Sequence, residues 1–144
     1  MENVEVGDYE ILDRANQFRD AADILKKSNK LIPTEVNACF ACELYLKYLV
    51  NFEKNDIQMK TGDTLVSEHD LKKLYDMCSN NIKIQIKGKM EDDFENHLEK
   101  VKLNFIMLRY DYEYDKVTYS PVFVVNFMEI LSEICNCRHN GQYM

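Results

Sequence analysis

A chain of 144 residues with 46% hydrophobic content fits one domain, residues 1-144, and has the apolar surface for a real core, which excludes wholesale disorder. With 4 Gly and 2 Pro, it favours long uninterrupted helices over a turn-rich sandwich. A formal net charge of -7 excludes a broad electrostatic coating of nucleic acid or anionic membrane, although a local basic pocket survives on an acidic body.

From Tyr9 to Lys27, Ile11, Ala15, Phe18, Ala22 and Leu25 recur at helical spacing and define one apolar face. Leu31-Ile32-Pro33-Thr34 then interrupts, with Thr34 as the cap of the next helix. That helix, Glu35 to Phe52, is apolar nearly all round. Its interior polar residues, Asn37, Glu43, Lys47 and Asn51, fall within an arc of roughly 120°. The central helix therefore carries one narrow polar stripe, which is either a solvent seam or the lining of a site.

Glu53 to Val66 is polar, with Thr61-Gly62-Asp63 as a turn signal. Ser67-Glu68-His69-Asp70 reads as a helix start with Ser67 as cap. Leu71, Leu74, Tyr75 and Cys78 give the short helix its buried face. Ile82, Ile84 and Ile86 alternate with polar residues at a strand period, which leaves residues 79-90 open between an extended connector and an irregular helix.

Between Glu91 and Tyr114, Phe94, Leu98, Val101, Phe105, Leu108 and Tyr112 keep a heptad-like register, which predicts one long bundle helix. Ser120-Pro121 opens the last helix, with serine as cap and proline in its first turn. Val124, Phe127, Met128, Leu131 and Ile134 or Cys135 form the apolar face of that helix, and Asn140-Gly141 ends it. The expected fold is all-α: an up-and-down helical bundle of four main helices plus one short helix.

The cysteine count of 5 is odd, no secretory signal opens the chain, and no apolar run is long enough to span a membrane. The expectation is a complete cytoplasmic protein with reduced thiols. Cys39 and Cys42 form a C-x-x-C, and Cys135, Cys137 and His139 add further zinc-type donors. A pair inside an apolar helix reads instead as buried thiols packed as small hydrophobes. No metal and no cofactor is expected, and without a phosphate-cradling glycine loop nothing supports autonomous ATP hydrolysis.

Arg109-Tyr110-Asp111-Tyr112-Glu113 concentrates an arginine, carboxylates and phenols. Arg109 and Glu113 are four apart, as are Glu43 and Lys47, so two intrahelical ion pairs, or one charge network across helices, follow from spacing alone. A planar guanidinium also suits a phosphate or nucleotide. His69-Asp70 is explained by capping and helix-dipole contact, and His97 by packing.

The strings Asn37-Ala38-Cys39-Phe40-Ala41-Cys42-Glu43-Leu44-Tyr45-Leu46-Lys47, His69-Asp70-Leu71 and Arg109-Tyr110-Asp111-Tyr112-Glu113, in that order, resemble the HEPN domains. The likeness covers residues 9-138. It implies a small helical bundle that homodimerises, and a place beside a nucleotidyltransferase or in defence and toxin–antitoxin pairs. Many HEPN domains are metal-independent endoribonucleases that use an arginine, then four to six intervening residues, then a histidine. Tyr114, Asp115 and Lys116 stand where that histidine is sought after Arg109. The resemblance thus implies a binding or regulatory module engaging RNA, a nucleotide or a partner nucleotidyltransferase. Its polar patch would be Glu43, Lys47, Arg109, Tyr110, Tyr112 and Glu113. The alternatives are a divergent endoribonuclease and a plain dimeric scaffold.

Overall fold

The computed structural model describes residues 2–54 and 68–141. It is all-helical among those residues. In chain order the helices are α1 (Glu2–Lys27), α2 (Leu31–Lys54), α3 (Leu71–Met77), α4 (Asn80–Lys89), α5 (Phe94–Val101), α6 (Asn104–Met107), a 3-10 turn (Leu108–Glu113) and α7 (Pro121–His139). The Thr61-Gly62-Asp63 turn lies outside the described residues, as does Ser67, but the cap of α3 is Asp70 rather than the expected Ser67, with residues 68–70 non-helical.

Helix α2 is the axis of the bundle and packs chiefly on α1 and α7. Its Ala38, Cys39, Ala41, Cys42, Tyr45, Leu46 and Leu49 are wholly buried, as the unbroken apolar sequence requires. The predicted face of α7 (Val124, Phe127, Met128, Leu131, Ile134 and Cys135) is likewise sealed in the core.

The α1–α2 corner differs in detail from the expectation. Asn29 adopts φ 60, in the left-handed region that asparagine tolerates. The Lys30 N–H reaches the Leu25 carbonyl at 3.1 Å and the Asn29 N–H reaches Lys26 at 3.0 Å, the paired bonds of a Schellman end. Helix α2 starts at Leu31, so Pro33 sits in its first turn, where a missing N–H costs nothing. Thr34 is inside the helix, and its hydroxyl donates to the Lys30 carbonyl at 2.6 Å.

The isoleucine alternation at residues 82-86 is a helix. Ser79 caps α4 by accepting from the Ile82 N–H. Ile82 and Ile86, four apart, are buried, while Ile84 faces outward.

The single long helix expected from Glu91 to Tyr114 is broken. The Leu71 N–H, at the start of α3, takes the Lys102 carbonyl at 3.0 Å. That carbonyl no longer serves the Ile106 N–H, which turns to Leu103 at 3.0 Å. The chain then restarts as α6, tightens to 3-10 geometry and kinks at Tyr110 (φ -127, ψ 33). Phe94, Leu98, Val101 and Leu108 keep the heptad register in the core, but Tyr112 is 78% exposed, past the point where the helical phase is lost.

Candidate functional site

The polar stripe of α2 is interior at its middle, Glu43 and Lys47, and only partly covered at Asn37 and Asn51. Glu43 is 1% exposed and Lys47 7%. Their side chains meet at 2.8 Å, one helical turn apart. A carboxylate so deeply placed needs further donors to offset lost hydration. One comes from His69, whose Nδ1 lies 3.1 Å from Glu43 Oε2 and 3.2 Å from Oε1.

The start of α3 fixes that imidazole. Asp70 caps the helix by accepting from the Lys73 N–H at 3.0 Å. Glu68 accepts from the Asp70 N–H at 3.0 Å, and the Lys102 carbonyl holds Leu71. His69 is thus trapped between two anchored neighbours, with its side chain still 40% exposed. Against an ionised carboxylate Nδ1 must be the donor, so Nε2 is the nitrogen left for the outside.

Phe105 links this group to the arginine. Its ring stacks on Phe40 at 4.6 Å between centroids and lies 6.1 Å from the imidazole. Arg109 Cζ sits 4.3 Å from the same ring, and Arg109 Nε donates to the Phe105 carbonyl at 2.8 Å. Tyr110 is the next ring, 5.7 Å from Cζ. Among the described residues no carboxylate lies within ion-pair reach of Arg109.

The anticipated patch of Arg109, Tyr110, Tyr112, Glu113, Glu43 and Lys47 is therefore two groups rather than one. Glu43 and Lys47 are interior and hold His69. Arg109, Tyr110, Tyr112 and Glu113 are exposed on the 3-10 turn. The Arg109–Glu113 pair expected from α-helical spacing does not form, because at three residues per turn positions four apart no longer share a face. What orients Arg109 is the ring and carbonyl of Phe105, a residue previously assigned only to the core.

His69 was the residue missed. The signal for it was present: a glutamate and a lysine on an otherwise apolar helix require polar company from elsewhere in the chain. A second polar hub carries no sequence signature of its own. Glu35, 1% exposed, accepts from Asn104 Nδ2 and from the Ser120 N–H, each at 2.9 Å. Burial pushes its carboxyl up, opposed by those two hydrogen bonds and by His97. Asn104 also donates to the Thr118 carbonyl at 2.7 Å. This hub pins both ends of the segment that carries Arg109. Ser120, bonded here and to His97, makes no side-chain cap on α7.

Cys39, Cys42 and Cys135 are buried, and desolvation pushes each thiol well up, so they stay protonated. Cys42 leans on the Val124 carbonyl and Cys135 on that of Tyr45. Among the described residues no three His, Cys, Asp or Glu side chains are gathered as for a metal ion. Nor is any described helix long and apolar enough to cross a membrane.

Chemically, the surface offers an exposed guanidinium held by a ring and, through Nε, by a carbonyl. Near the same ring, 6.1 Å between centroids, stands an imidazole backed by a buried carboxylate. The first suits a phosphate oxygen and the second suits proton transfer. No protein-family model, curated protein or solved structure matches the chain.

Proposed function

We propose that this protein is a HEPN-like binding or regulatory module that engages a phosphate of RNA or of a nucleotide through Arg109. The observation that carries this reading is the Arg109–Phe105 contact. A guanidinium stacked on a ring and tied by Nε to its carbonyl keeps its paired terminal nitrogens for an anion and loses little freedom on binding. Exposed Tyr110 and Tyr112 beside it suit base stacking or a twofold contact with a second copy. A defence or toxin–antitoxin setting with a partner nucleotidyltransferase belongs to the same reading. It rests on the resemblance of the three strings alone.

The test is titration of the full chain with a single-stranded RNA oligonucleotide and with nucleoside monophosphates, wild type against Arg109→Ala. The expected result is a loss of about tenfold in affinity, ~1.4 kcal/mol, with the thermal midpoint unchanged. Equal affinity of the two proteins overturns the reading. A plain scaffold predicts that equality, together with a change in sedimentation behaviour.

A second reading, a metal-independent endoribonuclease, is favoured by one observation. The Glu43–His69 pair supplies an oriented imidazole near the ring that also carries Arg109, although no histidine stands at the HEPN spacing after Arg109. His69 would exchange the proton and Arg109 would hold the phosphate. Cleavage lost in both His69→Ala and Arg109→Ala supports it. RNA left intact by the purified wild type between pH 5 and 9 removes it.

A further inference from the structure

Away from Arg109, a cavity of about 690 Å³ lies between the α1–α2 corner and the first turns of α7. That size falls within the range of small-ligand sites. Its walls include Leu31, Val122, Phe123 and Val125, and most of the surface they present is apolar. Val122 is 83% exposed and Leu31 60%, and neither belongs to the buried core cluster, so together they form an exposed apolar wall. Phe123 is stacked on His97 at 3.9 Å, and both rings line the space. His97 is in turn held by Ser120 Oγ at 3.0 Å and approached by Glu91 at 3.4 Å. The floor is thus preformed.

The charges on the walls are unbalanced. Glu91 and Glu129 face Lys26 as the one lysine among the lining residues. Burial first, and then Asp23, push the Glu129 carboxyl up, and Arg19 and Lys26 do not cancel the effect. Glu129 is an exposed wall residue, and a cation that brings apolar surface to bury would join Lys26 in balancing the carboxylates of Glu91 and Glu129.

We propose that this cavity binds an amphipathic organic cation, its apolar body against Leu31, Val122 and Phe123 and its ammonium at Glu129. This inference is independent of the Arg109 reading, and the two fail separately. The probes are octylammonium, octanoate and 1-octanol, each below the concentration at which it self-associates. Each is titrated into the full chain while amide shifts are followed by NMR. Octylammonium is expected to shift the amides of residues 119-129 and to bind at least about tenfold more tightly than octanoate, with octanol between them. Glu129→Gln removes about tenfold from octylammonium and leaves octanol unchanged. Asn126→Trp, at an exposed wall position, fills the space and abolishes both. Ile84→Ser, an exposed apolar residue on α4, changes neither. Equal affinity for the three probes, shifts centred elsewhere, or no binding up to the solubility limit overturns the proposal.

Discussion

Glu43 and Glu35 are both 1% exposed, yet they are satisfied in opposite ways. Glu43 is met by a lysine and an imidazole, Glu35 by an amide and a backbone N–H. The difference decides what each substitution does. Glu43→Gln leaves the Lys47 ammonium buried beside a neutral amide, and removing one partner of a buried pair costs about 3 kcal/mol. His69→Gln alters a part-exposed contact and costs under about 1 kcal/mol. Urea denaturation of the two variants should separate by at least ~2 kcal/mol. Equal losses would mean that the Glu43–Lys47 contact contributes no more than a surface pair. For Glu35 the folded carboxyl titrates above its unfolded range. Its contribution to stability is therefore full below the ordinary carboxylate range and is lost as pH rises through the raised value. Melting curves of wild type and Glu35→Gln should diverge in favour of wild type as pH falls from 7 to 4. A difference that stays constant with pH would assign the titration elsewhere.

Elements compete for backbone groups, and that competition explains where the sequence was legible. Apolar spacing placed the bodies of α1, α2 and α7, though not the starts of α1 and α2 at Glu2 and Leu31, because burial of their apolar residues dominates these helices. The heptad from Phe94 to Tyr112 was equally regular, yet the helix breaks at Lys102, whose carbonyl goes to Leu71 in another element. Side-chain periodicity holds no trace of such a bond. Ile82, Ile84 and Ile86 were ambiguous for the reverse reason. Three residues at period two also contain one helical pair four apart, and the Ser79 cap resolves the choice. The junction of α3 with Lys102 also positions His69, so its cap matters beyond α3. Asp70→Ala removes the acceptor for the Lys73 N–H and should cost about 1 kcal/mol. Hydrogen exchange should show the Lys73 amide opening faster than the amides of α7. Unchanged exchange at Lys73 would mean that the Lys102–Leu71 bond alone holds the start of α3.

At the scale of the whole molecule, the candidate site was half legible. Arg109 and Glu43 stood out by type and spacing, but the residue that joins them, Phe105, looked like core, and the histidine came from a segment remote in sequence. Charge constrains the rest. With a net charge of -7, any phosphate ligand meets a repulsive body and is held by few cations. Lys47 is buried against Glu43, and Lys72 and Lys102 are each engaged with carboxylates, which leaves Arg109 as the principal anion contact of the proposed site. Counterion release scales with the number of phosphates neutralised, by roughly 0.7 per contact on single strands. A site built on one arginine therefore predicts a shallow salt dependence. The plot of log affinity for a single-stranded RNA against log salt should have a slope between about -0.5 and -1.5, and Arg109→Ala should flatten it by about 0.7. A slope steeper than about -4 would require more than five phosphate contacts at about 0.7 each and would overturn a site built on one arginine.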